Sequence, residues 1–238
     1  MMNLILTSDY PSTGNEVVLA RMRSSETNPR IAWISPGPDA GGERFRRAQE
    51  QFGWYGFDRL ESCGIEAEAD EHRWSQLEQY DILYLSGGDP IRFRRNLLCT
   101  GLSEQLRKCL AAGQLVVAAS GGSLQLTQNV SLFRLQGATV DDVFARRSEF
   151  EALGVVKYEF LPHLNRCEPA FLEKVRQYAE RVACDILALA DGAAVLHSSR
   201  DDYRCVGQAA AGSHSSPFQR HRPWLRLRSR RTTGRLRC

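Results

Sequence analysis

The stretch Leu115-Val116-Val117-Ala118-Ala119-Ser120-Gly121-Gly122-Ser123 decides how this chain is read. Its first five residues are apolar or small at every position, without alternation, which fits a strand buried on both faces of a parallel sheet. At Ser120 the strand gives way to glycines, where a helix would begin. A strand-to-helix turn that raises a hydroxyl needs small neighbours, because its backbone is strained and crowded. The amide after such a residue sits at a helix N-terminus and can donate to developing negative charge. The spacing here is A-x-S-x-G, with Ala118 where G-x-S-x-G has glycine. Ser123 is the weaker nucleophile candidate, since it falls inside the expected helix with no glycine two positions later. Small residues after a strand also make ordinary tight turns, so this stretch alone fixes no function.

Outward from it, short apolar runs recur at Leu4 to Thr7, Ile31 to Ile34, Ile82 to Leu85 and Val155 to Phe160. Between them lie segments of helical spacing. Phe45, Ala48 and Phe52 repeat at three to four residues, and Leu102, Leu106 and Leu110 form one stripe. Another helix opens at Pro169 and carries Phe171, Val175, Tyr178 and Val182 on one side. Strands alternating with helices predict an α/β fold: a doubly wound, mostly parallel sheet flanked by helices. Ile186 to Leu189, Ala194 to His197 and Tyr203 to Val206 read as late strands joined by turns at Ala190-Asp191-Gly192 and Ser199 to Asp202. Residues 1–211 read as one domain.

The formal net charge of +3 averages two unlike pieces. Residues 212–238 hold eight arginines and no acid. Setting these eight apart from the 31 Lys and Arg leaves 23 basic against 28 acidic residues, a net charge of −5 for residues 1–211. The acidic body offers no electrostatic reason to bind nucleic acid or anionic membrane, whereas the Arg-rich tail could touch either. That tail is rich in Ser, Pro, Arg and Gly and lacks a long apolar face, so it is expected to be disordered or aberrant. No apolar run approaches the roughly 18 to 20 residues of a membrane helix, and a cytoplasmic protein is expected. Seven scattered cysteines without a C-x-x-C pair point to reduced thiols rather than disulfides or a metal site.

A second glycine turn, Ser86-Gly87-Gly88-Asp89-Pro90, follows the strand at Ile82 to Leu85. Ligands of open parallel sheets bind beyond the carboxyl ends of the strands, where such loops gather. Gly88 can bring a backbone N–H close to a bound carbonyl, while Asp89 and Pro90 fit the cap and first position of a following helix. Of the five histidines, His163 ends the run at Val155 to Phe160 within Leu161-Pro162-His163-Leu164-Asn165, on the expected carboxyl edge shared with Ser120. It is placed where a general base belongs. Asp141, Asp142, Glu149, Glu151 and Glu159 are all available to orient it, and composition does not choose among them.

Three segments together resemble the aspartyl dipeptidase (dipeptidase E) and cyanophycinase-like serine peptidases. They are Leu83 to Asp89, Val117 to Gly122, and Phe150 to Gly154 with Leu161 to Asn165. The resemblance runs from about residue 3 to residue 207. It implies a class I glutamine amidotransferase-like, flavodoxin-like three-layer sandwich, with Ser120 as nucleophile and His163 as base. A count back from His163 along the family pattern implies Asp141 as the third member, with Asp142 the adjacent alternative. Gly88 and the amide of Gly121 match the family's oxyanion donors. Small peptides, including those with an N-terminal Asp, are the substrates it implies. Arg166 and Asn165, beside the P-H motif, are candidates for holding them, as are Arg92 and Arg94 for the Asp carboxylate. The chain departs from the family at Ala118 and Gly121, and it reads S-G-G-D where G-G-G-N is common.

The expected activity is that of a serine exopeptidase-like hydrolase working through an acyl-enzyme, with no metal and no cofactor. A silent binding or scaffold protein of the same fold is one alternative. An esterase or amidase acting on a non-peptide substrate is another.

Overall fold

Alternate residues of each central strand enter two different cores. The computed structural model describes residues 2–12, 15–24, 28–65, 74–207 and 224–227. Its main sheet contains β1 (Leu4–Thr7), β2 (Ile31–Ile34), β3 (Leu60–Ser62), β4 (Ile82–Leu85), β5 (Leu115–Ala119), β8 (Ala194–His197) and β9 (Tyr203–Val206). The order across this seven-stranded sheet is β3-β2-β4-β5-β1-β8-β9. The first five are parallel neighbours; β8 and β9 continue antiparallel at the far edge. Ile5, Trp33, Tyr84 and Val117 face a core covered by helices α1 (Glu16–Met22) and α2 (Glu43–Trp54). Leu6, Ile34, Leu83 and Val116 face the opposite core with Phe93 and Leu97 of α3 (Pro90–Cys99) and Leu102 and Leu106 of α4 (Leu102–Ala111). This is the α/β fold with a mostly parallel sheet flanked by helices that the apolar runs predict.

A second sheet departs from expectation. β6 (Tyr158–Leu161), β7 (Asp185–Leu189) and β10 (Trp224–Leu227) pair in the order β10-β7-β6, with β6 and β7 parallel and β10 antiparallel. β6 was expected to share the main sheet with β5. It starts later than the apolar run suggests and sits elsewhere, because β4 and β1 already occupy both edges of β5 and β8 takes the free side of β1. Tyr158, Phe160, Leu187 and Leu189 join the core of α3 and α4. Leu161, Ile186 and Ala188 pack against Val175 and Tyr178 of α7 (Pro169–Ala179). The turn Ala190-Asp191-Gly192 therefore carries the chain from one sheet to the other rather than closing a hairpin.

The tail also needs correcting where it is described. Trp224–Leu227 is a strand, not a disordered segment: it pairs with β7 in the register Trp224↔Leu189 to Leu227↔Ile186. Leu225 and Leu227 pack on the α7 core, and Arg226 forms an ion pair with Asp185. Alternating Leu and Arg is the pattern of a strand with one face buried, and four residues suffice when a sheet edge waits for them. The remainder of the expected tail, residues 212–223 and 228–238, lies outside the described residues. Among the described residues, no helix is long and apolar enough to cross a membrane, and Cys63, Cys99, Cys109, Cys167, Cys184 and Cys205 are free thiols.

Ending the chain at Gly207 removes β10 and uncovers the edge of β7. The expected loss, read from urea unfolding, is about 2 kcal/mol, from two to three half-buried apolar side chains. Arg226→Ala alone removes a partly exposed ion pair and should cost less than about 1 kcal/mol. Equal stability of the shortened and full chains would show that β10 contributes no packing.

Candidate active site

The backbone of Ser120 has φ 46° and ψ −114°, a conformation that a side chain disfavours. It is held there from both sides. The Ser120 amide donates to the Thr7 carbonyl at the end of β1 (3.0 Å), and the Ser120 carbonyl accepts from Leu124 N–H in the short helix α5 (Gly121–Gln125). A Cβ on Gly122 would lie 2.4 Å from the Leu85 carbonyl oxygen, and one on Gly121 would lie 2.1 Å from that of Gly88. Both glycines are therefore required by close approach of the β4 and β5 loops. Ala118 is fully buried opposite Leu6, so its methyl belongs to the core and leaves the turn free. The two departures from the family pattern thus fit the backbone found here. Ser123 is buried and donates to the Thr7 and Ala118 carbonyls, which leaves it no access to a ligand.

His163 follows β6 and also has positive φ, at 135°. Among the described residues, Ser120 and His163 are the only non-glycine residues with positive φ. Strain of this kind costs on the order of 1 to 3 kcal/mol per residue and persists only where the surrounding structure enforces it. The two strained residues meet: Ser120 Oγ lies 2.7 Å from His163 Nε2. On the other side of the ring, His163 Nδ1 lies 2.8 Å from Asp191 Oδ1. An ionised carboxylate only accepts, so Nδ1 carries the proton and Nε2 is left to accept from the Ser120 hydroxyl.

Parallel pairing explains how two residues 28 positions apart meet. Leu161 of β6 is opposite Ala188 of β7, so the chain leaves both strands at the same edge, with His163 two residues beyond the end of one and Asp191 two beyond the end of the other. Asp141, the expected third member, lies elsewhere. It sits in the first turn of α6 (Val140–Ala145), its side chain is 88% exposed, and it pairs with Arg181. Asp142 accepts from Thr139 in the cap of that helix. Glu149 pairs with Arg146 in solvent, and Glu159 is buried on Arg147 and Tyr178.

Asn165 and Arg166, expected to hold substrate, instead hold Asp191. Asn165 Nδ2 donates to Asp191 Oδ2 (3.2 Å), while its side-chain oxygen accepts from the Asp191 amide (2.9 Å). Arg166 bridges Asp191 Oδ2 (2.5 Å) and Asp9 Oδ2 (2.8 Å). Ser8, fully buried after β1, donates to Asp191 Oδ1 at 2.9 Å. Burial alone would raise the Asp191 pKa, but the hydrogen bonds from His163, Ser8 and Asn165 outweigh it and hold the carboxyl well below the usual carboxylate range. The group stays ionised wherever the protein is folded at ordinary pH. Ser8, Asp9 and Asp191 escaped the sequence reading. Ser8 and Asp9 follow a buried strand at its carboxyl end, which is the signal that marks them.

Asp9, His163 and Asp191 offer three possible metal-ligand atoms within 4.8 Å of one another. Each of the three already has a partner: Arg166 spans the two carboxylates and Nδ1 faces Asp191. The guanidinium thus occupies the electrostatic role that a cation would fill. Ser120 and His163 open into a cleft of about 740 Å³ bordered by Gly88, Gly121, Leu132, Phe133, Glu168 and Phe171. Of the arginines first considered for substrate, only Arg166 borders it; Arg94 is bound to the Glu151 carbonyl, and Arg92 packs over Gly37.

Ser120→Gly should relieve the strained turn and remove the hydroxyl together. Relative to Ser120→Ala, which keeps the Cβ, it should be about 1 kcal/mol more stable in urea unfolding, because glycine meets no steric penalty at this φ. A Ser120→Gly protein no more stable than Ser120→Ala would show that the turn stores no strain.

Known proteins share both the sequence and the fold. The chain is 26% identical over 106 residues to an uncharacterized peptidase of Listeria monocytogenes, a match covering 44% of this chain and 51% of that protein. It is 28% identical over 142 residues to Peptidase E of Streptomyces coelicolor, covering 53% of this chain and 56% of that one. The matches to these two relatives thus span about half of their length. The crystal structure of a peptidase from an acI-B1 Actinobacterium has the same fold, with a TM-score of 0.62, 18% identity, and coverage of 96% of this chain and 95% of that one. The model of peptidase family S51 matches residues 16–203, a span that includes Ser120, His163 and Asp191, and the chain belongs to that family.

Proposed function

We propose that the chain is a serine peptidase acting on small peptides, with Ser120, His163 and Asp191 as its catalytic residues. The observation that carries this reading is the continuous line from Ser120 Oγ through both nitrogens of His163 to Asp191, with contacts of 2.7 and 2.8 Å. His163 Nε2 takes the hydroxyl proton as Ser120 Oγ attacks the scissile carbonyl carbon. Asp191 keeps the other nitrogen protonated and stabilises the imidazolium that forms. The carbonyl oxygen, now negative, receives N–H bonds from Gly121, whose amide is in the first turn of α5 and has no intrahelical partner, and from Gly88. Each such donor contributes about 3 to 4 kcal/mol in the transition state. The imidazolium returns its proton to the leaving amine as the C–N bond breaks. Water, deprotonated by the same nitrogen, then attacks the acyl-enzyme, releasing the acid and restoring the Ser120 hydroxyl.

An N-terminal Asp preference, as the family resemblance implies, needs a cation free to meet the substrate carboxylate. Arg166 is the one basic side chain bordering the cleft among the described residues, and Asp9 and Asp191 already share it. The reading adopted is therefore peptide hydrolysis without that preference. Strain confined to the two reacting residues also disfavours a silent scaffold, which has no use for it.

Kinetics on two aspartates test the assignment. Asp191→Asn replaces an acceptor by an amide that favours the wrong tautomer, and should lower kcat by roughly 10⁴-fold while the fold is kept. Asp141→Asn, changing a solvent-exposed pair, should alter kcat less than about twofold. A nearly normal Asp191→Asn enzyme, or a large loss in Asp141→Asn, would reject the proposed set.

A further inference from the structure

The cleft has an apolar wall and one carboxylate without a partner among the described residues. Leu132, Phe133, Leu161, Pro162 and Phe171 line the cleft together with Ser120, and Phe133 is 38% exposed although it is a large aromatic. Three charged side chains other than the catalytic pair border the same space. Asp89 caps α3 through Oδ1, which accepts from the Ile91 and Arg92 amides at 2.8 and 3.1 Å, so its charge faces the N-terminus of that helix. Arg166 is held between Asp9 and Asp191. Glu168 is different. It occupies the N-cap position of α7 yet makes no side-chain capping bond, and its carboxylate has no hydrogen-bond or ion-pair partner among the described residues. A free carboxylate at the rim of an apolar cleft repels acidic side chains and attracts an ammonium group.

We propose that the cleft selects short peptides with an unblocked amino terminus and a large apolar first residue, with Glu168 receiving the α-ammonium and the Leu132–Phe133–Phe171 wall receiving the side chain. The inference rests on the peptidase reading only in placing the first carbonyl at Ser120. An apolar residue there covers Phe133, which is otherwise exposed, and a blocked amine forfeits the pairing with Glu168. An acidic first residue meets a like charge and finds no free cation. Glu168 is a specificity residue in this account and takes no part in bond breaking.

The test uses the full chain carrying Ser120→Ala, so that peptides bind without turnover, titrated with Phe-Ala, Asp-Ala and N-acetyl-Phe-Ala by ligand-observed NMR. Phe-Ala should bind at least about tenfold more tightly than either of the others, the order of discrimination that an apolar pocket provides. With Glu168→Gln added, free and acetylated Phe-Ala should converge to within about twofold, while the preference for Phe over Asp shrinks without vanishing. Asp-Ala binding as tightly as Phe-Ala overturns the proposal, as does absence of Phe-Ala binding up to about 10 mM, an affinity weaker than any useful recognition. Hydrolysis of Phe-Ala by the unaltered chain separates this inference from the reading beneath it. Selective binding without turnover would sink the peptidase reading and leave the specificity standing; turnover of all three peptides at equal efficiency would do the reverse.

Discussion

The hydrogen bond between Ser120 Oγ and His163 Nε2 joins two sheets, and the remaining features of the site serve to make it possible. Ser120 is delivered by β5 in the middle of the main sheet, and His163 by β6 in the smaller one. Neither sheet alone builds the site. Their shared core, where Phe160 and Leu187 of the second sheet pack in one cluster with Leu85 and Val116 of the first and Phe93 of α3, fixes the distance between the two carboxyl edges. A close-packed interior does not deform continuously, so a hydroxyl and an imidazole mounted on opposite sides of it keep their separation. Such fixed spacing is what a reaction needs from a scaffold when it depends on a hydrogen bond of ordinary length.

That geometry is kept at the expense of local backbone comfort. Ser120 and His163 both occupy conformations that glycine would fill more easily, and glycines crowd the turn beside Ser120. The Gly88 carbonyl presses on the Cα of Gly121 so closely that no methyl fits, and a Cβ on Gly88 itself would lie 2.8 Å from Pro36. The loops after β4 and β5 are thus interlocked through their glycines, which explains why this chain has Gly121 rather than alanine. On the opposite side, Ser8, Asn165 and Arg166 immobilise Asp191 from three directions, so that the acid presents one oxygen to the ring. Orientation by neighbouring hydrogen bonds is what turns three side chains into a unit.

Much of this was legible in the residues. Unbroken apolar runs identified β1, β2, β4 and β5 because strands covered on both faces carry no alternation. The small residues around Ser120 announced a crowded turn, and Pro162-His163 marked the end of a strand. The acid was missed for a physical reason. Asp191-Gly192 has ordinary turn chemistry, and between two apolar runs it reads as a hairpin. The runs on either side belong to different sheets, and only that partition places Asp191 beside His163. Counting along the chain favours Asp141, whereas the observed contact is set by parallel register between β6 and β7. The strand β10 was hidden by its arginines, since a four-residue edge strand with one wet face looks like any charged tail until its partner is known.

The most direct measurement is covalent. A fluorophosphonate probe reacts with a serine only when a base removes its proton and an oxyanion site accepts the phosphonyl oxygen, so it reports the assembled site without any assumption about substrate. Peptide mapping by mass spectrometry after labelling of the full chain should find the adduct on Ser120 and on neither Ser8 nor Ser123, with labelling lost in Asp191→Ala. A protein that takes up no probe, or takes it up equally with Asp191 removed, would contradict the account of Ser120, His163 and Asp191 as one catalytic unit.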